Sequence, residues 1–394
     1  MSGKGARPVP LLDLKAQFAS IKQEVLDAVL EVFAEQSFIL GPAVNRLEQE
    51  MAPYLGVKHA IGVSSGTDAL LLALMALNVG PGDGVVTTPF TFFATAGSIV
   101  RLGAVPLYAD IDPRTYNLNP AQVERLLARQ DLPARPKVLL PVHLFGQTAD
   151  MAPLLDLAGR YNLAVVEDAA QAIGAVYPSP AGKDLMPVGG LGQTGCFSFF
   201  PSKNLGGAGD GGLITTNDDE LAQRLRSMRT HGSHPQEKYR HIYVGGNFRL
   251  DALQAAVIMA KLPHLKDWSQ ARRQNASDYD RLFSQSGLVE GGQVSLPLRA
   301  WPGAEFSHVF NQYVIRARNR EGLLAHLQKE KIGCAVYYPT PMHLLECFAH
   351  LGGRPGDFPE AEKAATEVLA IPIYPELSLD QKQRAVEAIK KFYA

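Results

Sequence analysis

Between residues 59 and 216, short apolar runs alternate with longer stretches in which apolar residues recur every three or four positions. This alternation builds strand–helix–strand units. Strands are predicted at 60–63, 85–88, 105–109, 138–142, 164–167, 196–199 and 212–215, with a helix at 67–77 and further helices between most of the strands. The strands are mostly apolar throughout, as in a sheet covered on both faces, so the expected fold is α/β with a mainly parallel sheet. Upstream, Leu14, Phe18, Ile21, Val25 and Val29 share a helical face behind Asp13, a residue suited to capping that helix. A second amphipathic helix follows Pro42 and ends near Gly56. After Arg249 the pattern shifts to long helical segments at 250–261 and 268–284, a strand at 312–316 and helices at 320–331 and 379–392, which predict a smaller α+β domain. The Gly- and Pro-rich stretch 177–195 reads as one long surface loop. The expected division is an N-terminal segment (1–35) packing with the small domain, a large domain (36–250) and a small C-terminal domain (251–394).

With 394 residues the chain is too long for one small core, which agrees with two packed domains. Lysine and arginine together number 38 against 39 acidic residues, a balance that suggests neither a nucleic-acid partner nor an anionic membrane surface. Cys196, Cys334 and Cys347 are too scattered for a disulfide framework or a metal-ligand pattern, so no metal is expected. The first residues lack the apolar run of a secretory signal, and no apolar stretch reaches membrane-spanning length. A cytoplasmic protein is expected.

Three segments carry candidate chemistry. In VSSGTDALLLAL (63–74) a strand ends in small residues and opens into an apolar helix. Unpaired amides at a helix start favour an anion; Gly66 permits close approach and Thr67 adds a hydroxyl, although an ordinary helix cap gives the same pattern. In VVEDAAQAIGA (165–175) Glu167 and Asp168 end an apolar strand, where open α/β sheets place ligands. An acid there suits a protonated ring nitrogen, a magnesium ion, a ribose hydroxyl or a simple N-cap. In GCFSFFPSKNLGGAGDGGLITT (195–216) Lys203 follows an apolar strand and lies among glycines, as expected of an amine desolvated enough to condense with a carbonyl. Ser198 offers a further hydroxyl. The glycines 206–212 precede a strand rather than opening a helix, so they do not form a dinucleotide fingerprint.

An anion cradle, a strand-end acid and a desolvated lysine, in that order, are what pyridoxal phosphate requires. At these residues the sequence resembles the DegT/DnrJ/EryC1/StrS sugar aminotransferases, enzymes of fold-type I. The resemblance runs from about Pro10 to the C-terminus through ILGPAVNRLE, SSGTDALLLAL, TTPFTFFATA, DIDPRTYNLNP, VEDAAQAIGA, FSFFPSKNLGGAGDGG, GGNFRLDALQAA and YYPTPMHL. It implies that Lys203 carries pyridoxal 5'-phosphate, that Asp168 partners the ring nitrogen, and that Gln171, one helical turn on, lies near the cofactor hydroxyl. It further implies that Gly66, Thr67 and Ser198 bind the phosphate, that Phe92 stacks on the ring, and that Asn247 reaches the phosphate of a neighbouring subunit. The active unit would then be a homodimer with shared sites. The sugar dehydratases of the same family carry a histidine at the lysine position, so Lys203 points to transamination.

The resemblance also implies glutamate as amino donor and a nucleotide-linked keto-sugar as acceptor, more in the manner of the C3-aminating branch than the C4-aminating one. A regulatory protein that keeps the fold without turnover is the competing expectation. Tyr243, Tyr337 and His343 are candidate substrate contacts, with Tyr338 beside them. Members acting on 3-keto uronic acids tend to carry arginine at the position of Tyr243. A tyrosine supplies one hydrogen bond and no positive charge there, which favours a neutral sugar.

Overall fold

The computed structural model describes residues 7–179 and 185–394. Seven strands form the main sheet: His59–Val63, Asp83–Thr87, Val105–Tyr108, Arg135–Leu139, Ala164–Asp168, Thr194–Ser198 and Gly212–Thr216. By first residue their order across the sheet is 59, 212, 194, 164, 135, 83, 105. Only Gly212–Thr216 runs antiparallel to its neighbours; every other pairing is parallel. Helices on both faces keep the strands dry, and Ile61, Val85, Val138, Val166, Cys196 and Ile214 are all buried in one cluster with the apolar helix Gly66–Ala76.

A second sheet of three antiparallel strands, Val294–Ser295, Tyr313–Ala317 and Val368–Ile371, packs against the helices Leu265–Ser286, Arg320–Lys329 and Leu379–Tyr393. The last helix starts with a full capping box, Ser378 with Gln381, which satisfies two otherwise unpaired amides. The core is continuous across residue 250: helix Ala252–Lys261 buries Ala255 and Ile258 with Leu47, Ala169 and Phe199 of the large layer. Val257 of that helix also meets Ile21, Val25 and Trp268.

Asp13 does cap the first helix, with its carboxylate accepting the amides of Lys15 and Ala16. That helix is nevertheless not one piece, because the backbone leaves helical geometry at Ile21 and Leu14–Ser20 and Lys22–Glu35 form separately. The strand expected at 138–142 ends earlier, at Leu139. Pro141 has no amide to continue the ladder, and pairing resumes only as a bridge between Val142 and Asp168.

The expected surface loop 177–195 is the clearest departure. Its described part contains a strand hairpin, Val176–Pro178 with Leu185–Pro187, and Tyr177 and Val188 are buried. Residues 180–184 of that expectation lie outside the described residues. The glycines are there because backbone presses on backbone: a Cβ at Gly192 would stand 2.6 Å from the Val165 carbonyl oxygen. The amides of Gly189, Leu191 and Gly192 all donate to Glu167, each at 2.8 Å. The 188–192 backbone is therefore held against the interior, while Leu185 and Gln193 are exposed.

Candidate active site

The parallel strands ending at Val63, Thr87, Asp168 and Ser198 point the same way, so the residues that follow them gather at one edge of the sheet. Ligands of open α/β sheets bind at that edge. Gly66 begins the helix after the first of these strands. Ser65 caps the helix by accepting the Asp68 amide at 3.0 Å, and Ser64 ties down the Asp68 carboxylate at 2.6 Å. The amides of Gly66 and Thr67 have no hydrogen-bond partner among the described residues and form an anion-ready helix start. Ser198 faces them, and a Cβ added at Gly66 would come within 2.7 Å of the Ser198 Cβ. Glycine at 66 therefore keeps open a cradle that alanine would fill.

Asp168 ends its strand and is 5% exposed. Its Oδ2 accepts the Thr95 hydroxyl at 2.8 Å and its Oδ1 the Ala170 amide at 3.2 Å. Burial pushes its carboxyl up, while the Thr95 and Ala170 hydrogen bonds and the charge of Lys203 oppose that shift. Lys203 sits in the turn after Ser198, with its amide bonded to the Phe200 carbonyl at 2.9 Å. Desolvation lowers its amine to about 8, and the nearby Asp168 charge only partly resists. Its Nζ has no hydrogen-bond partner among the described residues.

The turn is fastened from outside, by residues that reading the sequence did not single out. Lys261 Nζ donates to the Gly206 carbonyl at 2.7 Å, and buried Asn204 bonds the Val309 carbonyl and Asn311. Neither residue carries a sequence signal, because both partners are distant in the chain.

Gln171 does not lie one helical turn beyond Asp168. Residues 169–175 form successive turns, with the Ala172 amide on the Ala169 carbonyl. Its side chain is nonetheless fixed: Oε1 accepts the Phe145 amide at 2.6 Å and Nε2 donates to the Tyr338 hydroxyl at 3.0 Å. Phe92 begins the helix after the 83–87 strand, is 55% exposed, and lies 6.1 Å from the Tyr338 ring. Glu167 points to the opposite face from Asp168, as alternation along a strand requires, and takes a fourth donor, His143 Nε2, at 3.1 Å. The His143 Nδ1 accepts the Ala149 amide, so the proton sits on Nε2.

Tyr243, Asn247, Tyr337 and His343 remain to be placed. Tyr243 is exposed beneath the guanidinium of Arg224, 5.0 Å from its ring centre. Asn247 is exposed and bridges Thr230. Among the described residues no hydrogen bond joins either to Asp168, Gln171 or Ser198. Tyr337 is half-buried beside Tyr338. His343, the last candidate substrate contact, is held within the fold by its Nε2. It is 4% exposed, its Nε2 meets Glu362 at 3.0 Å, and its ring packs edge-on against Phe358. Glu362 also takes the Gly356 and Phe358 amides, so His343 braces that loop from within. Tyr338 holds the position next to Gln171.

Residues 19–390 match the model of the DegT/DnrJ/EryC1/StrS aminotransferase family. Over 385 residues, 98% of this chain and 98% of the relative, the sequence is 48% identical to a protein of Geobacillus stearothermophilus named pleiotropic regulatory protein. It is 41% identical over 383 residues, 97% of each chain, to the UDP-N-acetyl-3-dehydro-alpha-D-glucosamine 3-aminotransferase of Acidithiobacillus ferrooxidans. The crystal structure of NtdA from Bacillus subtilis with bound cofactor PMP matches with a TM-score of 0.86 at 28% identity, covering 100% of this chain and 86% of that one. Among the described residues no helix is long and apolar enough to cross a membrane.

Proposed function

Because this chain belongs to the DegT/DnrJ/EryC1/StrS aminotransferase family, we propose that it moves an amino group from glutamate to the C3 ketone of a nucleotide-linked hexose, using pyridoxal 5'-phosphate. The observation that carries this reading is a desolvated lysine amine set near a buried carboxylate at the edge of the sheet where the Gly66 and Thr67 amides meet Ser198. When bound, the cofactor supplies an aldehyde that takes up amines and a ring that accepts negative charge from an adjoining carbon. The residues fit it. Gly66 and Thr67 amides with the Ser198 hydroxyl would hold the phosphate, Asp168 the ring nitrogen, Gln171 the ring hydroxyl, Phe92 a ring face, and Lys203 the aldehyde carbon.

The chain's own groups do the proton work. Lys203 Nζ, its hold on a proton weakened by desolvation, accepts the proton from the α-carbon of glutamate and delivers it onward. Asp168 keeps a negative charge beside the ring nitrogen throughout. Asn247, exposed in the single chain, would reach the phosphate of a second copy, which makes a homodimer the active unit.

The C3 assignment is supported by the name of the Acidithiobacillus relative. A neutral sugar is favoured over a uronate because Tyr243 is uncharged and Arg240 is already engaged by Glu237 at 2.8 Å. Tyr337 and Tyr338 would line the sugar side. The name of the Geobacillus relative motivates a second reading, a regulatory protein that keeps the cofactor without turnover.

A panel of 3-keto and 4-keto nucleotide-sugars, neutral and uronate, assayed with glutamate by mass spectrometry tests the proposal. The neutral 3-keto sugar should gain the amine fastest. A clear preference for 4-keto sugars would remove the C3 assignment, a large preference for the uronate would remove the neutral-sugar assignment, and no turnover on any member would favour the regulatory reading.

A further inference from the structure

We propose that Thr95 is a positioning residue whose hydroxyl, itself aimed by the hydroxyl of Thr91, holds the Asp168 carboxylate in place as the acceptor for the cofactor's ring nitrogen. The inference rests on the reading of Asp168 given above. Asp168 is buried and forms no salt bridge among the described residues, so neutral donors must replace the water it has lost. It has two, the Ala170 amide at 3.2 Å and the Thr95 hydroxyl at 2.8 Å. The Thr95 bond is the shorter and, among the described residues, the only one from a side chain.

The direction of the hydroxyl chain follows from donor inventory. Thr91 and Thr95 are both buried, four residues apart at the start of the helix Phe93–Arg101, with their oxygens 2.9 Å apart. An ionised carboxylate only accepts, so the single Thr95 proton goes to Asp168. Thr95 must then accept from Thr91, and the two bonds polarise each other along one line. The ionisable groups facing Asp168 are Lys203 from the turn after Ser198, His143 next to the Val142 bridge, Cys196 on the adjoining strand and Tyr338 from the small-domain side. Among the described residues none of them forms a hydrogen bond to its carboxylate oxygens, which leaves Thr95 as the side chain that orients it.

The test uses holoenzyme loaded with cofactor carrying nitrogen-15 at the ring position, whose chemical shift reports protonation of that nitrogen directly. The wild type should show the protonated form and Asp168→Asn the neutral form. Thr95→Val should move the signal toward neutral, lowering the pH at which the proton is lost by about one unit. The half-reaction with glutamate should slow about tenfold in kcat, with KM little changed. Thr95→Ser, which restores the donor, should return both readouts toward wild type, an outcome that loss of packing alone would not give. If Thr95→Val fails to fold, Thr91→Val keeps the direct bond and should shift the signal the same way by less. Wild-type signal and pH profile in Thr95→Val, beside a neutral Asp168→Asn, would overturn the role of Thr95 alone. A protonated ring nitrogen in Asp168→Asn would overturn the reading of Asp168 on which it rests.

Discussion

Lys203 shows how a loop position alters a side chain's chemistry. An ordinary lysine is neutral in roughly one molecule in three thousand at pH 7. With its amine lowered to about 8, about a tenth of Lys203 is neutral at that pH. The shift comes from desolvation, so the neutral fraction grows as pH rises through about 8. Uptake of pyridoxal 5'-phosphate by the apoprotein should therefore quicken about fivefold between pH 7 and 8 and level off above about 9, as followed by absorbance after mixing. A steady tenfold gain per pH unit up to 10 would mean that Lys203 keeps an ordinary pKa. Lys203, Asp168, Ser198 and Gly66 were legible in the sequence because each sits next to a strand end, where chain order and space coincide. Thr95, Asn204 and Lys261 were not, since their partners lie 73, 107 and 55 residues away. The contact of His343 with Glu362 was hidden for the same reason, since the two become neighbours only when the chain is folded.

At the scale of elements, the strand Ala164–Asp168 puts its two terminal acids to different uses on its two faces. Asp168 faces the candidate site, and Glu167 binds the 189–192 backbone and His143. The periodic strands and helices were readable because their apolar spacing is local. The 177–195 stretch was misread because glycines that admit close backbone contact look, in sequence, like glycines of an exposed turn. The structure gives that segment a measurable dependence on Glu167. Replacing it with alanine strands the three amides and the imidazole, and breaking such a buried cluster costs about 3–5 kcal/mol. Glu167→Ala should lower the denaturation midpoint of the apoprotein accordingly and raise proteolysis around 185–193. Unchanged stability and cleavage would show that the segment is held by other means.

For the molecule as a whole, the single chain leaves Phe92 and Phe200 exposed, and also Ile242 and Val244 in the segment just before Asn247. These surfaces are consistent with a second copy completing the site, as proposed above. If the site is shared, mixing Lys203→Ala with Asn247→Ala subunits should regenerate up to about a quarter of wild-type activity, because half of the sites are in hybrids and half of those carry both residues. No recovery despite demonstrated subunit exchange, with each single variant inactive, would argue against sharing. The two-domain α/β plan, the cofactor class and the family were all accessible from motif order, whereas the continuity of the core across residue 250 emerged only from the packing of helix Ala252–Lys261. The account as a whole depends on where the cofactor attaches. Borohydride treatment of the holoprotein followed by peptide mass spectrometry reads that directly: the added cofactor mass should lie on the peptide containing Lys203 and vanish in Lys203→Ala, and its presence on any other lysine would contradict the account.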